Sequence, residues 1–310
     1  MLNRFLQTPR NRALSLIVCA LLLSACTPNQ QTSPEGPVAR ELTDDAGRPV
    51  SLPAHVKRVI ALAPNLTEIV FAVGAGDRLV GRTSYCDYPA EAKAVAEVGD
   101  TLHPSLERII ALRPQVVLIS TASQLEIFTQ QLQNQNIAVF VTDPSNLDGV
   151  FRTIEQVGEI LGQKQQAQIV VQQLRERAGT VEDAVKGKPP VRVFYQVSGE
   201  PLYTIGRDSF ITDLMRRAGG ISVTADVPGA WPKYSKESAL AAKPEAIILP
   251  TGGSMGPANS TVTEALLQSP AVLSGRVYKI NDDHLARPGP RSLDGLEAMA
   301  RALHPEAFKQ

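Results

Sequence analysis

Residues 105–120 read SLERIIALRPQVVLIS, and residues 235–250 read SKESALAAKPEAIILP. Each block places Ser first, Glu third, Ala seventh, a cation ninth and Pro tenth, ahead of an aliphatic run. The serine reads as a helix N-cap, its side-chain oxygen accepting from an early backbone N–H, so Glu107 and Glu237 fall at the second helical position. Proline then stops the helix, and the aliphatic run reads as a buried strand. A first-turn carboxylate is favoured by the helix dipole by ~0.3–1 kcal/mol, which is reason enough for either glutamate on its own. One helix-to-strand unit written twice predicts two similar halves, since a solenoid would repeat at a shorter period.

Around the first block, RVIALA (58–63), RLVGRTS (78–84), VVLIST (116–121) and AVFVTD (138–143) alternate with helical periods, as in LTEIVFAVG (66–74) and near 123–134. Around the second lie VRVFYQV (191–197), ISVTA (221–225), AIILPTG (246–252) and RVYKIN (276–281), with helices opening at Asp208-Ser209 and near Ser292. Such alternation predicts βα units and mainly parallel sheets covered by helices. ELTDDAGRPVSLP (41–53) carries a turn signal at Asp45-Ala46-Gly47 and predicts a small hairpin.

Between the halves, residues 145–186 hold no proline, and Leu147, Val150, Ile154, Val157, Ile160, Leu174 and Val181 recur at helical spacing. Thirty-odd helical residues would reach ~50 Å, wider than one lobe. The stripe keeps no strict heptad, which favours a packed spine between lobes over a coiled coil. The chain therefore divides into a first lobe (41–144), an interlobe helix (145–186) and a second lobe (187–310).

The N-terminus has Arg4, Arg10 and Arg12, an apolar core from Ala13 to Leu23, and then Ser24-Ala25-Cys26. This is a secretory signal over 1–25, with an apolar run too short to span a bilayer. Residues 26–40 are polar and proline-bearing, a flexible tether. Thirty-one cations balance thirty-one anions over the whole chain, leaving no electrostatic footprint for nucleic acid. Of three cysteines only Cys86 lies beyond Cys26, so no disulfide framework is expected.

There is no Walker A loop, no GxGxxG after a strand, no GxSxG elbow and no HExxH helix. Cys86 would serve as a nucleophile only if His103 or His284 folded against it, and a lone Cys in a polar loop is more often a bystander. Aromatic residues instead gather where strands end: Tyr85 after RLVGRTS, Tyr203 after VRVFYQV, and Trp231, the sole Trp, in VPGAWPKY. Ligands of open α/β sheets collect at the carboxyl ends of strands. Each aromatic alone reads as a packing anchor, but several together favour a flat, apolar ligand in an interlobe cleft. Asp283 and Arg287, after RVYKIN, read as polar contacts to it or as a surface ion pair worth little.

LTDDAGRPVSLPAHVKRVIALAPNLTEIVFAVGAGDRLVGRTSYCDYP (42–89) and VGDTLHPSLERIIALRPQVVLIS (98–120) resemble the periplasmic binding proteins with a single rigid interlobe helix. Members of that family deliver cobalamin, haem or ferric siderophores to ABC importers. The resemblance covers the chain beyond the tether, and SYCDYP, Trp231-Pro232 and Asp283-x3-Arg287 bring it nearest the cobalamin-binding branch. It implies an α/β fold of two Rossmann-like lobes with mainly parallel sheets, joined by one long α-helix, with the ligand cleft between them.

It further implies Asn65 at the ligand, Tyr85 and Trp231 against a corrin from opposite lobes with Tyr203 beside them, and Asp283 and Arg287 bonded to the corrin amides. Glu107 and Glu237 match two glutamates that dock on arginines of the permease dimer, which works with its ATPase. Thr101-Leu102-His103 stands where a cobalamin binder carries Trp, so His103 could approach a metal axially, leaving haem or a corrinoid without its lower base open. Leu23-Ser24-Ala25-Cys26 resembles a lipobox, which implies acylation at Cys26 and a membrane anchor; the alternative is a plain signal with an incidental cysteine. The expectation is an exported monomer that captures a corrinoid without cofactor or catalysis, with a secreted cysteine hydrolase as the remote alternative.

Overall fold

The computed structural model describes residues 40–120, 126–252 and 261–309. The signal over 1–25, Cys26 and the tether through residue 39 lie outside the described residues. Among the described residues no helix is long and apolar enough to cross a membrane.

The chain enters through a hairpin of β1 (Arg40–Thr43) and β2 (Pro49–Leu52), paired antiparallel. Its turn is tied by Asp44, whose carboxylate accepts from the Ala46 and Arg48 N–H groups and pairs with the Arg48 guanidinium at 2.8 Å. Arg40, expected at the end of the tether, belongs to β1, and its guanidinium donates to the Glu159 and Ile160 carbonyls.

Next come β3 (Val59–Ala61), α1 (Pro64–Ala72), β4 (Leu79–Arg82), α2 (Leu106–Ala111), β5 (Val116–Ser120), α3 (Glu126–Gln133) and β6 (Ala138–Thr142). The strands form one parallel sheet in the order β4-β3-β5-β6. After two helices, α4 (Leu147–Ile160) and α5 (Lys164–Val185), the second lobe contains β7 (Val191–Tyr195), β8 (Ser198–Gly199), β9 (Leu202–Tyr203), α6 (Phe210–Arg217), β10 (Gly220–Ser222), α7 (Lys236–Ala241), β11 (Ala246–Thr251), α8 (Pro270–Leu273), β12 (Val277–Asn281), α9 (Asp282–Leu285) and α10 (Ser292–Leu303). Its parallel sheet runs β10-β7-β11-β12, and β8-β9 is a small antiparallel hairpin. In both parallel sheets the second of the four strands in chain order is at the edge, followed by the first, third and fourth. The two lobes share one topology, and the repeated blocks form the helix-to-strand step into the third strand of each sheet.

Strand alternation supplies both faces of each sheet. Val59, Ala61, Val116 and Leu118 face one way, while Ile60, Leu62, Val117 and Ile119 face the other with Ile109 of α2. In the second lobe Val193, Tyr195, Ala246 and Ile248 oppose Phe194, Ile247, Leu249 and Ala239 of α7. The inner faces of both sheets merge with α1, α4, α5, α6 and α10 into one continuous core. The outer faces have cores of their own, covered by the repeated helices.

The span 145–186, expected as one helix, is a helical hairpin. It breaks at Leu161–Gln163, where Gly162 adopts φ 65°. A Cβ at Gly158 would overlap the Ala167 methyl, so its bare backbone lets α4 and α5 close on each other. The long interlobe element is α5, whose 22 residues reach ~33 Å. Arg217 of α6 pins it, bonding Glu182 of α5 at 2.7 Å, Asp148 of α4 at 2.5 Å and Asp213 at 2.9 Å.

Candidate functional site

All four strands of a parallel sheet end on one edge, so each lobe gathers the loops after its strands there. Asn65 follows β3 and Tyr85 follows β4; Tyr203 and Trp231 follow β7 and β10, and Asp283 and Arg287 follow β12. Bonds from one edge to the other bring the two together. Asn65 Nδ2 donates to the Pro288 carbonyl at 3.2 Å. Arg287 pairs with Asp283 of its own lobe at 2.8 Å and with Asp87 of the first lobe at 2.8 Å. Arg291 holds Glu68 by two bonds of 2.6 and 3.0 Å, and its guanidinium lies 4.1 Å from the centre of the Tyr88 ring. Glu68 and Arg287 are 3.6 Å apart.

Asn65, Asp283 and Arg287 thus come together at a polar seam. Arg287 is only 7% exposed, so the reading of a loose surface ion pair does not hold. Glu68, Asp87 and Arg291 escaped the sequence reading. Glu68 left a trace as the one charge in PNLTEIVFA, whereas Arg291 and Asp87 left nothing that names a partner 200 residues away.

Charges beside the seam feel it. Asp282, at the start of α9, has its carboxyl pushed up to about 6 by burial and then by the Asp283 charge, with Arg287 pulling it back. Burial and the same Asp282 raise the Tyr195 phenol, whose hydroxyl is buried beneath. Burial works against ionisation of Asp87, yet the hydrogen bond and field of Arg287 hold its carboxyl below the ordinary range.

The aromatic residues behave differently from core. Trp231 is 47% exposed, Tyr85 46% and Tyr203 37%, where the strand interiors are dry. Tyr203 and Trp231 ride on neighbouring extended segments: Thr204 N–H donates to Pro232, Gly206 N–H to Ala230 and Tyr234 N–H to Leu202. Tyr203 forms a bridge with Lys233. Tyr85 stands on the other lobe, joined through Ser84 N–H to the Gly99 carbonyl and so to the 99–105 loop. In that loop Asp100 accepts from Leu102 N–H at 2.7 Å and His103 N–H at 2.6 Å, which turns the His103 imidazole outward into solvent, 3.2 Å from Asp100.

Cys86 is fully buried, its Sγ 3.1 Å from the Thr83 hydroxyl. A thiol without access to solvent cannot attack a substrate, which corrects the hydrolase alternative.

Glu107 and Glu237 lie far from the seam in sequence terms but in one topological position, each exposed on the first turn of its helix. Ser105 Oγ accepts from Arg108 N–H and Ser235 Oγ from Ser238 N–H. The Glu237 carboxyl is held down by its own backbone N–H and by the Ser235 hydroxyl at 2.8 Å.

Residues 59–283 match the model of a family described as periplasmic binding protein. An uncharacterised ABC transporter substrate-binding lipoprotein of Bacillus subtilis is 29% identical over 96% of this chain and 97% of its own. The vitamin B12-binding protein of Yersinia pestis is 29% identical over 82% of this chain and 89% of its own. Among solved structures, the periplasmic vitamin B12-binding protein BtuF of Vibrio cholerae superposes with a TM-score of 0.73 at 28% identity, over 82% of this chain and 99% of that one.

Proposed function

The chain belongs to the periplasmic binding protein family, and on that premise we propose that it captures a corrinoid between its lobes and delivers it to an ABC importer. Proteins of this type hand their ligand to a permease driven by an ATPase. The observation that carries the corrinoid reading is the half-exposed trio Tyr85, Tyr203 and Trp231 at the carboxyl edges of both sheets. Aromatic faces left wet at a cleft supply area for a flat macrocycle, and relatives of vitamin B12-binding type support that choice. Asp283 and Arg287, with Asn65, would reach its amide rim by exchanging the partners that they hold here, since Asn65 and Arg287 are buried.

Capture needs no bond making. The shared core and the α4–α5 hairpin favour lobes that move little, so the loaded protein would present Glu107 and Glu237 together to a permease dimer, one per lobe. Acylation at Cys26 would keep it on a bacterial membrane, a reading supported by the lipoprotein relative that spans nearly the whole chain.

Calorimetric titration of the purified protein with cyanocobalamin, followed by Trp231 fluorescence, tests the ligand. Saturable binding with quenching is expected. A Soret shift with haemin and no heat with cyanocobalamin would move the assignment to haem, and loss of that shift in His103→Ala would name the axial group.

A further inference from the structure

Two devices join the lobes. One is apolar: the inner sheet faces and the helical hairpin form a single core. The other is ionic and sits at the carboxyl edges, where the first lobe supplies Glu68 and Asp87 and the second supplies Asp283, Arg287 and Arg291. Its centre is dry, with Glu68 3% exposed and the Arg287 guanidinium almost as enclosed.

Charges buried at this depth persist only when each has its partner, because desolvation is costly and attraction is strong where water is excluded. Glu68 meets that condition from one side only. It lies in the apolar helix α1, and the guanidiniums that neutralise it both come from the opposite lobe. Separating the edges would strand Glu68 and Arg291 unpaired. Asp87 is the member open to solvent, its side chain half exposed while it pairs with Arg287.

We propose that Glu68 and Arg291 are positioning residues for the ligand cleft: their buried two-bond pair clamps the lobes at one separation and, with Asp87, fixes where Arg287 points. This rests on the reading of the cleft as the ligand site. The clamp touches no ligand itself. On that reading it would set the separation of Tyr85 on one lobe from Tyr203 and Trp231 on the other, and it holds Arg287 among carboxylates supplied by both lobes.

The test is an interlobe distance in ligand-free protein, which does not depend on the ligand's identity. In protein carrying Cys26→Ser, spin labels at Gln135→Cys and Leu273→Cys, both exposed and one on each lobe, report it by pulsed electron resonance, and buried Cys86 takes no label. The parent should give one narrow distribution. Glu68→Gln, which removes the charge, and Arg291→Lys, which keeps the charge but loses the two-bond geometry, should each broaden it and lengthen its mean. Cyanocobalamin affinity should fall about tenfold or more in both.

A purely structural role would lower the melting temperature and leave the distance unmoved, and that result overturns the proposal. If Glu68→Gln fails to fold, Arg291→Lys decides alone, an unchanged distribution being negative. Absence of cyanocobalamin binding in the parent would overturn the ligand reading while the distances still judge the clamp.

Discussion

Arg113 and Lys243 hold the same backbone conformation, φ 46° in each, at the same step of the two lobes. Each closes a short helix and precedes the proline that ends it. Arg58, just before β3, and Arg192, early in β7, correspond in the same way: their guanidiniums donate to the Leu112 and Ala242 carbonyls at 2.6 and 2.7 Å. Those carbonyls belong to the C-caps of α2 and α7. The duplicated unit is therefore a capping device, in which a cation from the neighbouring strand meets the negative end of a helix.

Arg58→Met and Arg192→Met should each lower stability by about 1 kcal/mol, because each removes a charge-assisted bond at the surface. The sites lie in different lobes, so urea denaturation of the double variant should give the sum of the two losses.

Gly158→Ala forces a methyl onto Ala167 across the α4–α5 contact. A loss of ~1–3 kcal/mol is expected, seen as a lowered thermal midpoint. An unchanged midpoint would mean that the hairpin can spread without cost.

Asp282 gives a pH signature of known sign. Its carboxyl titrates near 6 in the folded protein, above the ordinary value of 3.8, so the folded state keeps a proton that the unfolded chain releases. Stability from this group is full below about 3.8 and is lost as pH rises to about 6. Asp282→Asn should remove that slope. Its advantage over the parent should be absent near pH 3.5, grow to pH 6 and stay level above, as read from denaturation midpoints.

Trp231→Ala and Tyr203→Ala should each weaken cyanocobalamin binding about tenfold or more, since each removes an aromatic face from the proposed wall. Circular dichroism should be unchanged, because both side chains stand half exposed outside the core. Affinities equal to the parent's in calorimetry would remove them from the site.

Glu107→Ala with Glu237→Ala should leave cyanocobalamin affinity intact while uptake into cells falls steeply, as charge contacts on both lobes orient docking. Uptake at the parent rate would sink the two-point docking reading.

Much of the fold was legible. Ser105, Ser235 and Ser209 announce helix starts through their side-chain caps, Asp45-Ala46-Gly47 marks the hairpin, and strand runs carry residues for both faces. The break at Gly162 was not legible. Apolar residues on α4 and α5 both recur at helical spacing, so the pattern passes through the turn, and only the close approach of Gly158 to Ala167 shows that the chain folds back.

The sequence by itself determined the elements, their order, and the duplication that makes two lobes of one topology, because caps, turns and periodicity act over a few residues. Only the tertiary structure decided that Arg287 is held by Asp87 and that Glu68 answers Arg291. Such pairings depend on which strand ends are brought face to face, and a buried charge takes whichever opposite charge the packing of the two lobes delivers to it.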